Sequence, residues 1–194
     1  MRWHRYLDQL PHGVHSFPDY TAKAAMPRMI YDAYGKCALD PALPEQVLEL
    51  AANPPPVSVY IPEVHMRLLL LGIQDSLGLD DERFVQDALV ISRKFLSSVL
   101  WKTLFWLVTP ERVFKNAESR WGAFHRGITM EVPFIGKNAA TAIMRAPAAL
   151  DTVTMARCNV MAIQAALEAA GGKDVRMICS IVSEGVTELS ARWG

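Results

Sequence analysis

Two periodicities divide this chain. Over its first two thirds, apolar residues recur at steps of three and four, the spacing that lays one face of an α-helix on a core. Val64, Leu68, Leu71 and Leu77 mark such a face across residues 62–77, and Gly78 stops it. Phe84, Ala88, Ile91, Phe95 and Val99 mark the next. Asp80-Asp81-Glu82 stands at its start, where the helix dipole favours acids, and the run continues to Val108 with apolar residues on every side. Thr109-Pro110-Glu111 opens a third helix with a Thr cap and Pro at the first position. Its inner face is Val113, Phe114, Ala117 and Trp121, and Gly127 ends it. Beyond Gly127 the period becomes two. Ile128, Met130, Val132 and Phe134 alternate, Gly136-Lys137-Asn138 turns, and residues 141–145 supply a partner strand. Asp151 caps a helix over 152–170 that Gly171-Gly172 closes. Residues 175–182 form a β-branched strand, and 186–193 alternate as a last one.

The N-terminal quarter is less regular. Pro11, Gly13 and Pro18 break residues 1–18 into an irregular arm. Asp19 caps a helix over 22–34, kinked at Pro27 and ended by Gly35. Pro44-Glu45 opens a short helix carrying Val47, Leu48 and Leu50. Asn53-Pro54-Pro55-Pro56 cannot be helical and is the best linker. The expected organisation is residues 1–52 as irregular arm and short helices and 57–194 as the main domain, with one domain overall as the alternative. The fold class is α+β: N-terminal helices packed on a small antiparallel sheet, with β-β-α-β-β order in the C-terminal part.

Composition narrows the function classes. Hydrophobic residues make up 51% of the 194 and charged residues 21%, enough for a sizeable core. Twenty basic and twenty acidic residues balance, so no net field draws nucleic acid or an anionic membrane. Cys37, Cys158 and Cys179 are odd in number and far apart, which argues against a disulfide framework and for a reducing, cytoplasmic setting. No apolar stretch reaches the ~20 residues of a membrane span.

Chemical signatures are sparse. His12 and His15 lie in a Pro/Gly-broken segment, and no residues show metal-ligand spacing. His125 is the better candidate, at a helix end among Arg120, Trp121, Phe124 and Arg126, where the dipole favours a cation. Cys37, beside Lys36 in a loop, is the thiol expected to be most reactive. Cys158 and Cys179 read as packed thiols. No phosphate loop, nucleophile elbow or zinc-protease helix is present. Aromatics concentrate at Trp101, Phe105, Trp106, Phe114, Trp121 and Phe124, with Met130, Met144, Met155 and Met161 following. Ordinary core explains them, and so does the lining of an apolar cavity.

Element order, with Asp40-Pro41, Asn53-Pro54-Pro55, Thr109-Pro110 and Arg120-Trp121, resembles a large paralogous family of uncharacterised myxobacterial proteins. More remotely, residues 40–193 resemble the α+β ligand-binding fold shared by haem-nitric-oxide-binding sensors and Golgi-transport (TRAPP) subunits. That resemblance implies a protein that binds a small or acyl ligand, or a dimeric assembly part. The sensors' Tyr-x-Ser-x-Arg haem signature is not in the sequence, and no cofactor is expected. The resulting expectation is a non-enzymatic small-molecule or lipid-binding sensory domain lined by Trp101, Phe105, Trp121, Phe124, His125 and Met130. The alternative is a homodimeric interaction or scaffold protein that uses residues 99–108 as its interface. An enzyme built on His125 or a cysteine is a third reading.

Overall fold

A computed structural model describes residues 1–35, 37–97 and 108–194. These fall into two units, Met1–Phe84 with Phe124–Gly127, and Val85–Ala123 with Ile128–Gly194.

The first unit is built around one helix. Helices α1 (Arg2–Gln9), α2 (Ala25–Ala33) and α3 (Glu45–Ala52) pack against α4 (Glu63–Ser76). Nearly every α4 residue from Glu63 to Gln74 is buried, Leu68 and Ile73 completely. Beside α4 lies a three-stranded antiparallel sheet of β1 (Thr21–Lys23), β2 (Tyr60–Pro62) and β3 (His125–Arg126), in the order β2-β1-β3. Its register aligns Ile61, Ala22 and His125 in one row, and all three are buried. Successive strand residues point to opposite faces. Lys23, Tyr60 and Arg126 therefore project from the other side.

Several expectations change here. The arm over residues 1–18 begins with a helix, and Trp3 and Tyr6 are buried on it. Its cap comes from far away: the Asp75 carboxylate accepts from the Arg2 and Trp3 backbone N–H groups and pairs with the Arg2 guanidinium at 3.1 Å. The helix expected over 22–34 gives up its first turn to β1, because Lys23 and Thr21 pair with Tyr60 and Pro62. Pro27 then falls in the first turn of α2, where its missing N–H costs nothing.

The second unit follows the C-terminal β-β-α-β-β order of the sequence. Strands β4 (Thr129–Ile135), β5 (Ala139–Arg145), β6 (Arg176–Ser183) and β7 (Val186–Arg192) form an antiparallel sheet in the order β4-β5-β7-β6. One face carries Met130, Ala140, Ala142, Met144, Leu189 and Ala191. Alanines on β5 let helix α6 (Pro110–Lys115) approach closely, while α8 (Val153–Ala169) packs along β6, bringing Phe114, Val160 and Leu167 into that core. Trp193 closes it, stacked on Phe114 at 5.9 Å with its indole N–H on Glu111. Gly185, with φ +72°, turns β6 into β7 where a Cβ would strike the Ala146 carbonyl.

The third predicted helix is two: α6, capped by Thr109, breaks at Asn116 before α7 (Ala117–Phe124). Thr152, and not Asp151, caps α8 through the Met155 N–H. Helix α5 (Asp81–Leu96) buries Phe84 and Ala88 and half-buries Ile91, but Phe95 is exposed, and Val99, with the rest of residues 98–107, lies outside the described residues. No helix among the described residues is long and apolar enough to cross a membrane.

Candidate functional site

The densest polar chemistry in a buried setting sits at the start of α4. Pro62 ends β2 and fixes the entry to the helix, so Glu63 becomes its first residue. The Glu63 N–H donates to the Tyr20 carbonyl at 2.9 Å, tying the helix start to the sheet. One helical turn on, Arg67 places its Nη2 3.3 Å from Glu63 Oε2. From β3, His125 brings Nδ1 to 2.5 Å from Glu63 Oε1. All three side chains are at most 1% exposed.

Electrostatics fixes the protonation of the central group. Burial pushes the Glu63 carboxyl up, but the Arg67 charge and the His125 hydrogen bond outweigh it and hold the group below the ordinary carboxylate range. The dipole of α4 favours the same charge. An ionised carboxylate only accepts, so His125 Nδ1 carries the donated proton. The imidazole is oriented as a general base would be, yet its ring is sealed from solvent. In this arrangement the cluster's work is to hold β3 against α4.

The opposite face of the same sheet is cationic and aromatic. The Arg126 guanidinium lies 3.7 Å from the Tyr60 ring centroid, and Lys23 Nζ sits 5.7 Å from Tyr60 and 5.5 Å from Phe124.

The structure distributes the six sequence candidates. Trp101 and Phe105 lie outside the described residues. Met130 is buried in the second unit's core, and Trp121 packs half-buried against it. Phe124 and His125 belong to the first unit. His125 directly follows the last residue of α7, as the first residue of β3, and its partner there is the Glu63 carboxylate. Sequence reasoning missed Glu63 and Arg67. Their signal was an acid and a base four apart on a helix otherwise rich in leucine. Cys37 is not an activated thiol, since burial pushes its pKa up. Cys179 packs against the second core, and its thiol is pushed up as well. No cluster of metal-binding side chains occurs among the described residues.

An α+β chain with a helical N-terminal unit and an antiparallel sheet in the C-terminal one defines the fold class. No family model and no curated protein sequence matches the chain. Solved structures do. An Fe(II) unliganded H-NOX protein from K. algicida superposes with a TM-score of 0.59 at 12% identity, covering 89% of this chain and 96% of that one. An H-NOX protein from S. oneidensis in the Fe(II)NO state gives 0.58 at 9% identity, covering 89% and 99%. An oxygen-binding H-NOX domain related to soluble guanylate cyclases gives 0.57 at 11%, covering 87% and 91%. At these identities the likeness is one of fold: the chain shares the H-NOX architecture.

Haem iron takes an axial imidazole, thiolate, thioether or phenolate. All five histidines of this chain fall in the first unit. The buried one, His125, is committed to Glu63. His65 is half-buried on the Val14 backbone, and His4 is stacked on Trp3 at 3.9 Å. With the Tyr-x-Ser-x-Arg signature also absent from the sequence, the histidines present do not fit the haem of these neighbours.

Proposed function

We propose that this chain is a non-enzymatic sensory domain that binds a small apolar molecule other than haem. The observation that carries the reading is the architecture shared along nearly nine tenths of the chain with H-NOX proteins, one solved as an oxygen complex and one in an Fe(II)NO state. The donor set described above turns it from iron toward an apolar ligand. In this reading Trp121 and Met130, which meet in the second unit's core, contact the ligand, and residues 57–194 form the functional body. A cytoplasmic member of a myxobacterial set of paralogues is the accompanying biological placement. A homodimeric scaffold is the second reading, favoured by the apolar run over residues 99–108.

Native mass spectrometry of the purified protein, followed by denaturation and solvent extraction, tests the proposal. The expected result is a stoichiometric adduct released as a small organic molecule. Haemin titration of the same sample gives no saturable Soret shift. A one-to-one haem complex sinks the non-haem assignment. A protein that carries nothing and takes up no hydrophobic probe, such as a fluorescent fatty-acid analogue, sinks the ligand-binding reading.

A further inference from the structure

The two edges of the four-stranded sheet are unlike. Edge strands invite pairing with another chain, and proteins blunt them with proline, charge or broken register. Edge β4 is blunted in all three ways: Pro133 lacks a donor, Glu131 is exposed, and the register on β5 slips between Glu131 and Phe134. Edge β6 reads Arg-Met-Ile-Cys-Ser-Ile-Val-Ser from Arg176 to Ser183, with no proline and no lysine. Ile178 is 64% exposed, Ile181 50% and Val182 63%. The pairing of β6 on β7 is regular from Arg176 to Ile181, and a one-residue shift before Ser183 leaves the consecutive Ile181 and Val182 both exposed.

The sequence of this edge is complementary to itself. A two-fold axis through Ser180, normal to the sheet, sets Ser180 opposite its own copy. It sets Cys179 opposite Ile181, brings Ile178 to the bulge at Val182, and sets Arg176 near Glu184 of the β6–β7 turn. Apolar residues thus face apolar ones and opposite charges meet at the ends; Met177 against Ser183 is the exception. Arg176 and Glu184 are both exposed, and neither is in an ion pair among the described residues. Moving the axis to Cys179 sets Arg176 against Val182 and loses the charge match.

We propose that β6 is a self-association edge: two copies join antiparallel along β6 about Ser180, fusing their sheets into one through an isologous contact. The partner is a second copy of this chain.

Sedimentation velocity across a wide protein concentration range tests it. The wild type shows a concentration-dependent dimer. Arg176→Glu and Glu184→Arg each weaken it roughly tenfold, because the contact occurs twice and like charges then face each other. The double variant, with both charges exchanged, recovers the wild-type constant. Ser180→Cys forms a disulfide-linked dimer with itself under mild oxidation, and wild-type Cys179 does not. These positions are exposed, so circular dichroism of each variant matches the wild type. A protein that stays monomeric at the highest concentration overturns the proposal. So does a dimer indifferent to the charge reversals and to Ile178→Lys, since that dimer uses another surface.

Discussion

Replacing Glu63 by glutamine keeps the side chain's shape and deletes its charge. The Arg67 guanidinium, 3.3 Å away and 1% exposed, then stays buried without that counter-charge, and the His125 Nδ1–H faces a neutral amide. Deleting one member of a buried ion pair costs roughly 3–5 kcal/mol, because the remaining charge keeps its desolvation penalty. An exposed pair gives the contrast. Arg28 and Asp32, one turn apart on α2 at 3.7 Å, are 43% and 51% exposed, and Asp32→Asn loses about 0.3–0.5 kcal/mol. Urea unfolding at pH 7, followed by circular dichroism and tryptophan fluorescence, reads both. With slopes of ~1–3 kcal/mol per molar, Glu63→Gln moves the midpoint of the first unit by about a molar or more. The double replacement Glu63→Leu with Arg67→Met exchanges both charges for apolar groups and loses less than Glu63→Gln alone. A loss below ~1 kcal/mol for Glu63→Gln, or a double variant worse than the single, refutes the view of this cluster as a buried electrostatic tie.

The same site sets an acid limb. The folded Glu63 carboxyl sits below its ordinary value. Its stabilisation is complete above the usual carboxylate range and fades as pH falls through the lower folded value. Unfolding midpoints measured against pH therefore converge between wild type and Glu63→Gln on the acid side; parallel curves contradict this. Gly185→Ala combines a positive φ with a Cβ driven at the Ala146 carbonyl, and loses roughly 2–5 kcal/mol in the second unit, read by the same denaturation. Thr152→Ala removes the α8 cap on Met155, lowering stability by about 1 kcal/mol. Thr152→Ser, checked alongside, restores most of it.

The C-terminal sheet was legible because its signals are local. Alternation over β4, β5 and β7, the Gly136–Asn138 turn and the Gly171 stop each lie within a few residues of what they control. The N-terminal sheet was not, since its strands are two or three residues long, too short for a period to register. Helix α1 escaped for a related reason, its cap being Asp75, 73 residues along the chain from Arg2. His125 stood out in the sequence at a helix end, and it does follow α7 directly. Glu63, the residue that gives it a role, is 62 positions away. Glycine misled too: Gly127 at φ +86° looked like a helix stop and instead follows a strand against the Tyr20 ring.

Strand β3 has a consequence for how the polypeptide is made. The ribosome releases Met1–Phe84 well before Phe124–Gly127, yet the first unit needs both. Until that late tetrapeptide emerges, β1 lacks one neighbour and the carboxylate of Glu63 has no imidazole to receive. Nascent chains stopped short of Gly127 should therefore stay protease-sensitive throughout their N-terminal half, and a gene cut after Phe84 yields a fragment that waits for a strand it does not encode.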